Sequence, residues 1–462
     1  MNKTTLSGHD LRRAVSHVSS RRGNRHIGVV SRHVICSLLV LFACAPALAQ
    51  QPAAAHRLTL SEAVSLALRN NPEVLLAEVA VTRAEAERQE IRSLFRPQVF
   101  VGAGLAATYG FPLSMEGSAP SIFQAASNQV LFNPSLRNSE RQAGRMRESA
   151  GQSLEAKRDD IVAATVLAYL DLARARRSLD TVRGSFEHFL AAQQIVEERV
   201  RGGLDPPIES TRARLSTARS NAEQVGLESR LALLEARLRG LTGLPQTQAV
   251  LTVPAEVPLP DPDETPDRLV ALAFQRNPGL RAIEEEIQAR EFAVKSEETA
   301  RWPRVNLVGQ YGLFSKINNF EDYFQRFQRH NGTLGISVQV PIYQRERYAA
   351  RMSRTEAELA ETRLRFQTTQ SAIAQQVRQL WADRQQQDAA REVARLELEL
   401  ARRSVEVALA QFEEGRANRL AVEQARIEEA ARWVSLYLAE YRAEAARVEL
   451  LRVTGEIRSV FR

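Results

Sequence analysis

The chain has 462 residues, 44% of them hydrophobic and 25% charged, with a formal net charge of +7. Seven Lys and Arg and a single Asp precede residue 50, so the remainder carries only +1, and the electrostatic footprint of a nucleic-acid partner is missing. Just 22 Gly and 18 Pro interrupt this length, and they cluster, which excludes a string of ordinary small domains and favours long unbroken elements.

Residues 1–49 read as a signal peptide. Arg32 and His33 precede an apolar run from Val34 to Ala45, and Ala47-Leu48-Ala49 supplies small residues for cleavage before Gln50. Cys44 is the alternative, a lipoprotein cysteine. Both cysteines, Cys36 and Cys44, lie in this leader, so the exported chain has no thiol for a disulfide or a Cys-ligated metal. No later stretch reaches the ~18 consecutive apolar residues of a spanning helix. The nearest, Ile161 to Ala173, is shorter and contains Asp171. Any membrane crossing is therefore expected to use strands.

A first repeat spans 50–243. Ser61 caps a helix with Leu60, Val64 and Leu68 on one face, and Pro72 opens a second helix ending before Pro97. The period then changes from 3.6 to 2: Val99, Val101, Ala103 and Leu105 alternate with Phe100, Gly102 and Gly104. Two strands are expected, at about 98–109 and 122–132, followed by a helical hairpin over 134–242 that turns at Gly202-Gly203.

The same plan returns in 267–455. Asn71-Pro72 recurs as Asn277-Pro278 and Pro97 as Pro303, while Gly203 matches Gly415 and Thr242-Gly243 matches Thr454-Gly455. Strands are expected at about 304–314 and 333–340, and a second hairpin over 342–454. Val305, Leu307, Gly309, Tyr311 and Leu313 alternate with Asn306, Val308, Gln310 and Gly312, the pattern of a sheet with lipid on one side and water on the other. Between the repeats, residues 244–266 hold six prolines and read as an extended strap; 456–462 form a C-terminal tail.

Long apolar seams run along the hairpins. Leu179, Val182, Phe186, Phe189, Gln193, Val196 and Val200 alternate steps of three and four, as do Leu227 to Leu241 and Ile427 to Val448. A helix from Pro134 to Val200 would be ~100 Å long. Four strands cannot close a barrel that needs about eight, and an open sheet in lipid leaves backbone groups unsatisfied, so the barrel must be shared among copies. The fold class is thus mostly α with a small β part: long helical hairpins plus four β-strands per chain contributing to a shared transmembrane β-barrel.

These features together resemble the TolC-type outer-membrane efflux proteins: Asn-Pro near each repeat start, Pro97 and Pro303 before the strands, Val340-Pro341-Ile342-Tyr343 entering the long helix, and Gln411-Phe412-Glu413-Glu414-Gly415 at the second turn. The resemblance covers nearly the whole exported chain. It implies a homotrimer whose strands form one barrel in outer-membrane lipid and whose helices form a periplasmic α-barrel. It also implies a passive exit duct of a tripartite efflux or type I secretion system, docked by a periplasmic adaptor and an inner-membrane pump.

In such a duct the working parts are the hairpin tips. Arg199, Arg201, Asp205 and Glu209 flank the first tip, and Glu413, Glu414, Arg416, Arg419 and Glu423 the second; symmetry would turn each into a ring of charge suited to a gate. By resemblance, Arg199, Val200, Gly203 and Leu204 with Phe412, Gly415 and Arg416 form the adaptor-docking surface. At the places of the family's tip latch and entrance carboxylates stand Phe412, Ala417, Ala421 and Gln424. Nothing points to catalysis, a cofactor or a metal: there is no Gly-rich phosphate loop and no HExxH, and His56, His188 and His330 are scattered. The competing reading, a soluble periplasmic coiled-coil scaffold or adaptor, has no use for the alternating strands.

Overall fold

The computed structural model describes residues 56–104, 121–245, 250–252, 265–314, 330–342 and 345–461. The expected signal peptide, including Cys44, lies outside them, as do 105–109 of the first strand, most of the two loops at the far end of the sheet and most of the Pro-rich strap.

Two similar sets of elements follow one another, and the first helix is capped not by Ser61, as expected, but by Thr59, whose hydroxyl accepts from the Glu62 amide at 3.3 Å. The first is α1 (Leu60–Asn70), α2 (Pro72–Ser93), β2 (Gln98–Gly104), β3 (Ser121–Phe132), α3 (Pro134–Arg201) and α4 (Pro207–Thr242). The second is α5 (Pro266–Arg276), α6 (Pro278–Thr299), β5 (Arg304–Phe314), β6 (His330–Gln339), α7 (Arg345–Glu413) and α8 (Arg419–Thr454), closed by the short α9 (Ile457–Val460). Two three-residue strands, β1 (His56–Leu58) and β4 (Val250–Thr252), pair in parallel, so part of the strap is pinned beside the start of the first repeat.

The Asn-Pro pairs act as joints, for a reason the spacing alone did not reveal. Asn277 accepts from the Leu280 amide at 3.1 Å, capping α6, while its Nδ2 donates to the Val453 carbonyl at 2.9 Å, an orphan acceptor at the end of α8. Asn71 does the same for α2 and the Leu241 carbonyl, at 2.9 and 3.2 Å. Each long hairpin therefore ends against the joint of its own repeat. Gly243 (φ 70°) and Gly455 (φ 76°) stop the returning helices there in the left-handed conformation. At Gly455 a Cβ would lie 2.7 Å from the Arg276 carbonyl oxygen, so side chains are excluded by space as well as by backbone geometry.

The main core sits halfway along α3. Val162, Val166, Tyr169 and Leu172 pack on Leu60 and Val64 of α1, Leu238 of α4, Leu451 of α8 and Ile457 of α9. Asp171, which interrupts this apolar run, is buried but answered by Arg174 at 2.7 Å and Arg230 at 3.0 Å. The seam predicted for α8 is only partly the buried one. Val448 is buried, but so are Leu436, Ala443 and Leu450 on an adjoining face, while Ala431 is exposed. The cause is that α8 packs against both α7 and α3, so a single stripe cannot describe it.

The four long strands form one antiparallel sheet in the order β2-β3-β5-β6. The register segregates its two faces. Val99 and Val101, then Phe123 and Ala125, then Val305, Leu307 and Tyr311, then Leu334, Ile336 and Val338 share one face. Gln98, Gln124, Asn128, Asn306, Gln310, Ser337 and Gln339 share the other, together with Phe100, Val130 and Val308, so that face is mixed rather than wholly polar. At 10 to 12 residues, β3, β5 and β6 have the length of strands that cross a bilayer at a tilt. Among the described residues no helix is long and apolar enough to do so.

Candidate functional site: the hairpin tips

The first tip is a tight reversal. Gly202, Gly203 and Leu204 donate to the carbonyls of Glu198, Val200 and Arg199 at 2.9, 3.1 and 2.9 Å, and Gly203 takes φ 72°. Arg199 then closes the turn with a two-pronged contact to Asp205, Nε to Oδ2 at 2.7 Å and Nη2 to Oδ1 at 2.8 Å. Hydrogen bonding from Arg199 holds the Asp205 carboxyl below its ordinary value, and Asp205 in turn raises the guanidinium. Arg201 donates to its own helix at the Glu197 carbonyl, and Glu209 pairs with Arg212 one turn along at 2.5 Å. Leu204 is 71% exposed at the apex.

At the second tip the amide of Arg416 donates to the Gln411 carbonyl at 2.8 Å, with Gly415 at φ 73°. Asn418 caps α8 by accepting from the Ala421 amide at 3.0 Å. Arg416 and Glu414 pair at 3.2 Å on the surface, where such a contact contributes little. Glu413 and Phe412 are exposed. Of the expected residues, then, the fold brings together Arg199 with Asp205, Glu414 with Arg416, and Arg419 with Glu423.

Glu423 differs from all the others. Only 4% exposed, it accepts from His188 Nδ1 of α3 at 2.8 Å and has Arg419 at 3.6 Å. A carboxylate withdrawn from water this far needs such partners. The contact ties the first hairpin to the second, with Glu423 about one turn into α8 and His188 13 residues before the end of α3. Nothing in the sequence singles out His188 among the scattered histidines; the available signal is Glu423 itself, a lone acid following Leu420, Ala421 and Val422. Beside this contact lies a cleft of about 490 Å³ between the hairpins, with Phe189 and Val196 of α3 facing Leu420 and Ile427 of α8, and Arg199 and Asp205 at its edge.

α6 carries three successive acids, Glu284-Glu285-Glu286. Glu285 meets Arg145 of α3 at 3.0 Å and Glu286 meets Arg365 of α7, so α6 is stitched to both long helices. No cluster of metal-ligating residues occurs among the described residues.

The sequence model for "Outer membrane efflux protein" matches this chain twice, over residues 63–244 and 269–456. The chain belongs to the outer membrane efflux protein family. Its two matches coincide with the two structural repeats. Among relatives, the outer membrane efflux protein BepC of Brucella suis is 22% identical over 412 residues, covering 86% of each chain. Protein CyaE of Bordetella pertussis is 26% identical over 261 residues, 55% of this chain and 54% of its own length. A solved membrane protein from Pseudomonas aeruginosa superposes with a TM-score of 0.72 at 20% identity, over 86% of this chain and 92% of the other. The efflux protein is thus an outer-membrane channel with a helical extension into the periplasm, and its fold is that of channels.

Proposed function

We propose that this efflux protein works as a homotrimer, an exit duct that receives cargo from a periplasmic adaptor and an inner-membrane pump, and that its hairpin tips form both docking surface and gate. The observation that carries an oligomer with a shared barrel is the sheet, and three copies are what the resemblance to TolC-type proteins implies. Its outer strands β2 and β6 have no further partner among the described residues, one face is apolar and exposed, and the described residues of one chain supply four strands to it. Three copies supply twelve, enough to close a barrel and satisfy every edge.

The helices support the same reading. Twenty residues of α3 are buried but only six of α7, although the two are nearly equal in length. Val393, Leu396, Leu400 and Val407 form an exposed apolar row on α7 at heptad spacing, suited to a neighbouring copy. At the tips, Arg199, Val200, Gly203, Leu204, Phe412, Gly415 and Arg416 present apolar and cationic groups on rigid turns to the adaptor. The remaining tip charges, Arg201, Asp205, Glu209, Glu413, Glu414 and Arg419, surround the entrance, while Glu423 lies buried behind them. The His188–Glu423 contact holds the two hairpins of one subunit together when the entrance is narrow.

Extraction from outer membranes in mild detergent is expected to yield a trimer that conducts ions in a planar bilayer. A water-soluble monomer without conductance would overturn the proposal.

A further inference from the structure

A cavity of about 600 Å³ opens where the helices meet the sheet. Five arginines line it: Arg301 after α6, Arg304 at the foot of β5, and Arg345, Arg347 and Arg351 on the first turns of α7. Glu297 is the sole acid of the lining. Among the described residues none of these five guanidinium groups is in an ion pair. Neighbouring arginines of α6 and α7 behave differently: Arg290 and Arg354 share Glu358 at 2.7 and 2.9 Å, and Arg363 meets Glu291 at 2.8 Å. Five like charges facing a single acid repel one another unless a further anion is present. The amino terminus of α7 at Arg345 adds its positive dipole end to the same space.

Two further features specify the anion. The cavity wall includes Val340 and Ile342, 52% and 92% exposed, so a cationic pocket is continuous with bare apolar surface. Its height is also defined. Arg304 pairs with Gln339 on the polar face at the foot of the β5–β6 ladder, and the next rung, Val305 with Val338, begins the apolar face, so the cavity sits at the edge where the two faces end. Trp302, 50% exposed in the adjoining connection, suits the water–lipid boundary. A ligand with a phosphate head and an apolar tail fits this combination, since guanidinium groups grip phosphate oxygens in pairs.

We propose that this cavity binds the headgroup phosphate of an anionic phospholipid from the periplasmic leaflet, with Val340 and Ile342 against the first part of its acyl chains. The inference rests on reading the sheet as membrane-crossing.

The test uses the full protein in lipid nanodiscs of phosphatidylcholine mixed with phosphatidylglycerol, with retained lipid counted by native mass spectrometry. The native protein is expected to retain phosphatidylglycerol over phosphatidylcholine by roughly tenfold. The triple variant Arg345→Gln, Arg347→Gln, Arg351→Gln should lose that preference, and Arg395→Gln, far along α7, should keep it. Circular dichroism and oligomer size establish that each variant is folded. Equal retention by the native protein and the triple variant would overturn the proposal. So would displacement by millimolar inorganic phosphate with no effect of Ile342→Ser, which would assign the site to a free anion. Protein absent from membranes altogether would overturn the membrane-crossing reading as well, whereas inserted protein without lipid preference overturns only this one.

Discussion

Replacing His188 with Ala tests the gate most directly. The substitution leaves the Glu423 carboxylate almost wholly buried, with Arg419 at 3.6 Å as its remaining partner. A hydrogen bond to a charged group contributes about 1.5–3 kcal/mol, so losing it shifts the balance between joined and separated hairpins about 10- to 150-fold per subunit. Both ends lie on helices anchored far away in the main core, so the rest of the fold is expected to survive. In planar bilayers, His188→Ala channels should spend correspondingly more time in their largest conductance state, and Glu423→Gln, which keeps an acceptor in place but removes the charge, should fall between. Conductance identical to the native protein in a folded His188→Ala trimer would refute the argument, because the entrance would then open without separating these two helices.

Three other predictions follow from particular contacts. Ile336→Arg, on the apolar face of β6, should cost about 2–4 kcal/mol and impair membrane insertion, whereas Ser337→Arg on the opposite face should insert and alter ion selectivity, as measured by membrane fractionation and reversal potential. Gly455→Ala should lower the unfolding temperature more than Gly415→Ala. Both meet a left-handed penalty of about 1–2 kcal/mol, but only Gly455 also drives a Cβ into backbone, at the Arg276 carbonyl. Acid should loosen the first tip. The Asp205 carboxyl is lowered by Arg199, so the contribution of their contact is complete above the ordinary carboxylate value and is lost as pH falls through the lowered one. Faster hydrogen exchange at Gly203 and Leu204 in that acidic window, absent in Asp205→Asn, is the expected readout.

Much of this architecture is written locally. Helix and strand periods, Asn-Pro and Thr-Gly punctuation and the spacing of their recurrence depend on neighbouring residues, so two repeats, long hairpins and four strands with an apolar side were legible in the sequence by itself. The turn glycines Gly203 and Gly415 belong to the same class, since a helix reversal needs positive φ wherever it lies.

What the tertiary structure decided depends on residues far apart in the chain. His188 and Glu423 are separated by 235 positions, and neither carries a local pattern that names the other. Only the packing of α8 across α3 makes the pair, and the same packing moves the buried face of α8 away from the seam its spacing predicts. The five-arginine cavity likewise draws on two separate segments, 297–304 and 339–351, that converge where helix gives way to sheet. Local periodicity reports which elements form, because backbone geometry repeats within them; which charges meet is set by how those elements cross, and that appears only in three dimensions.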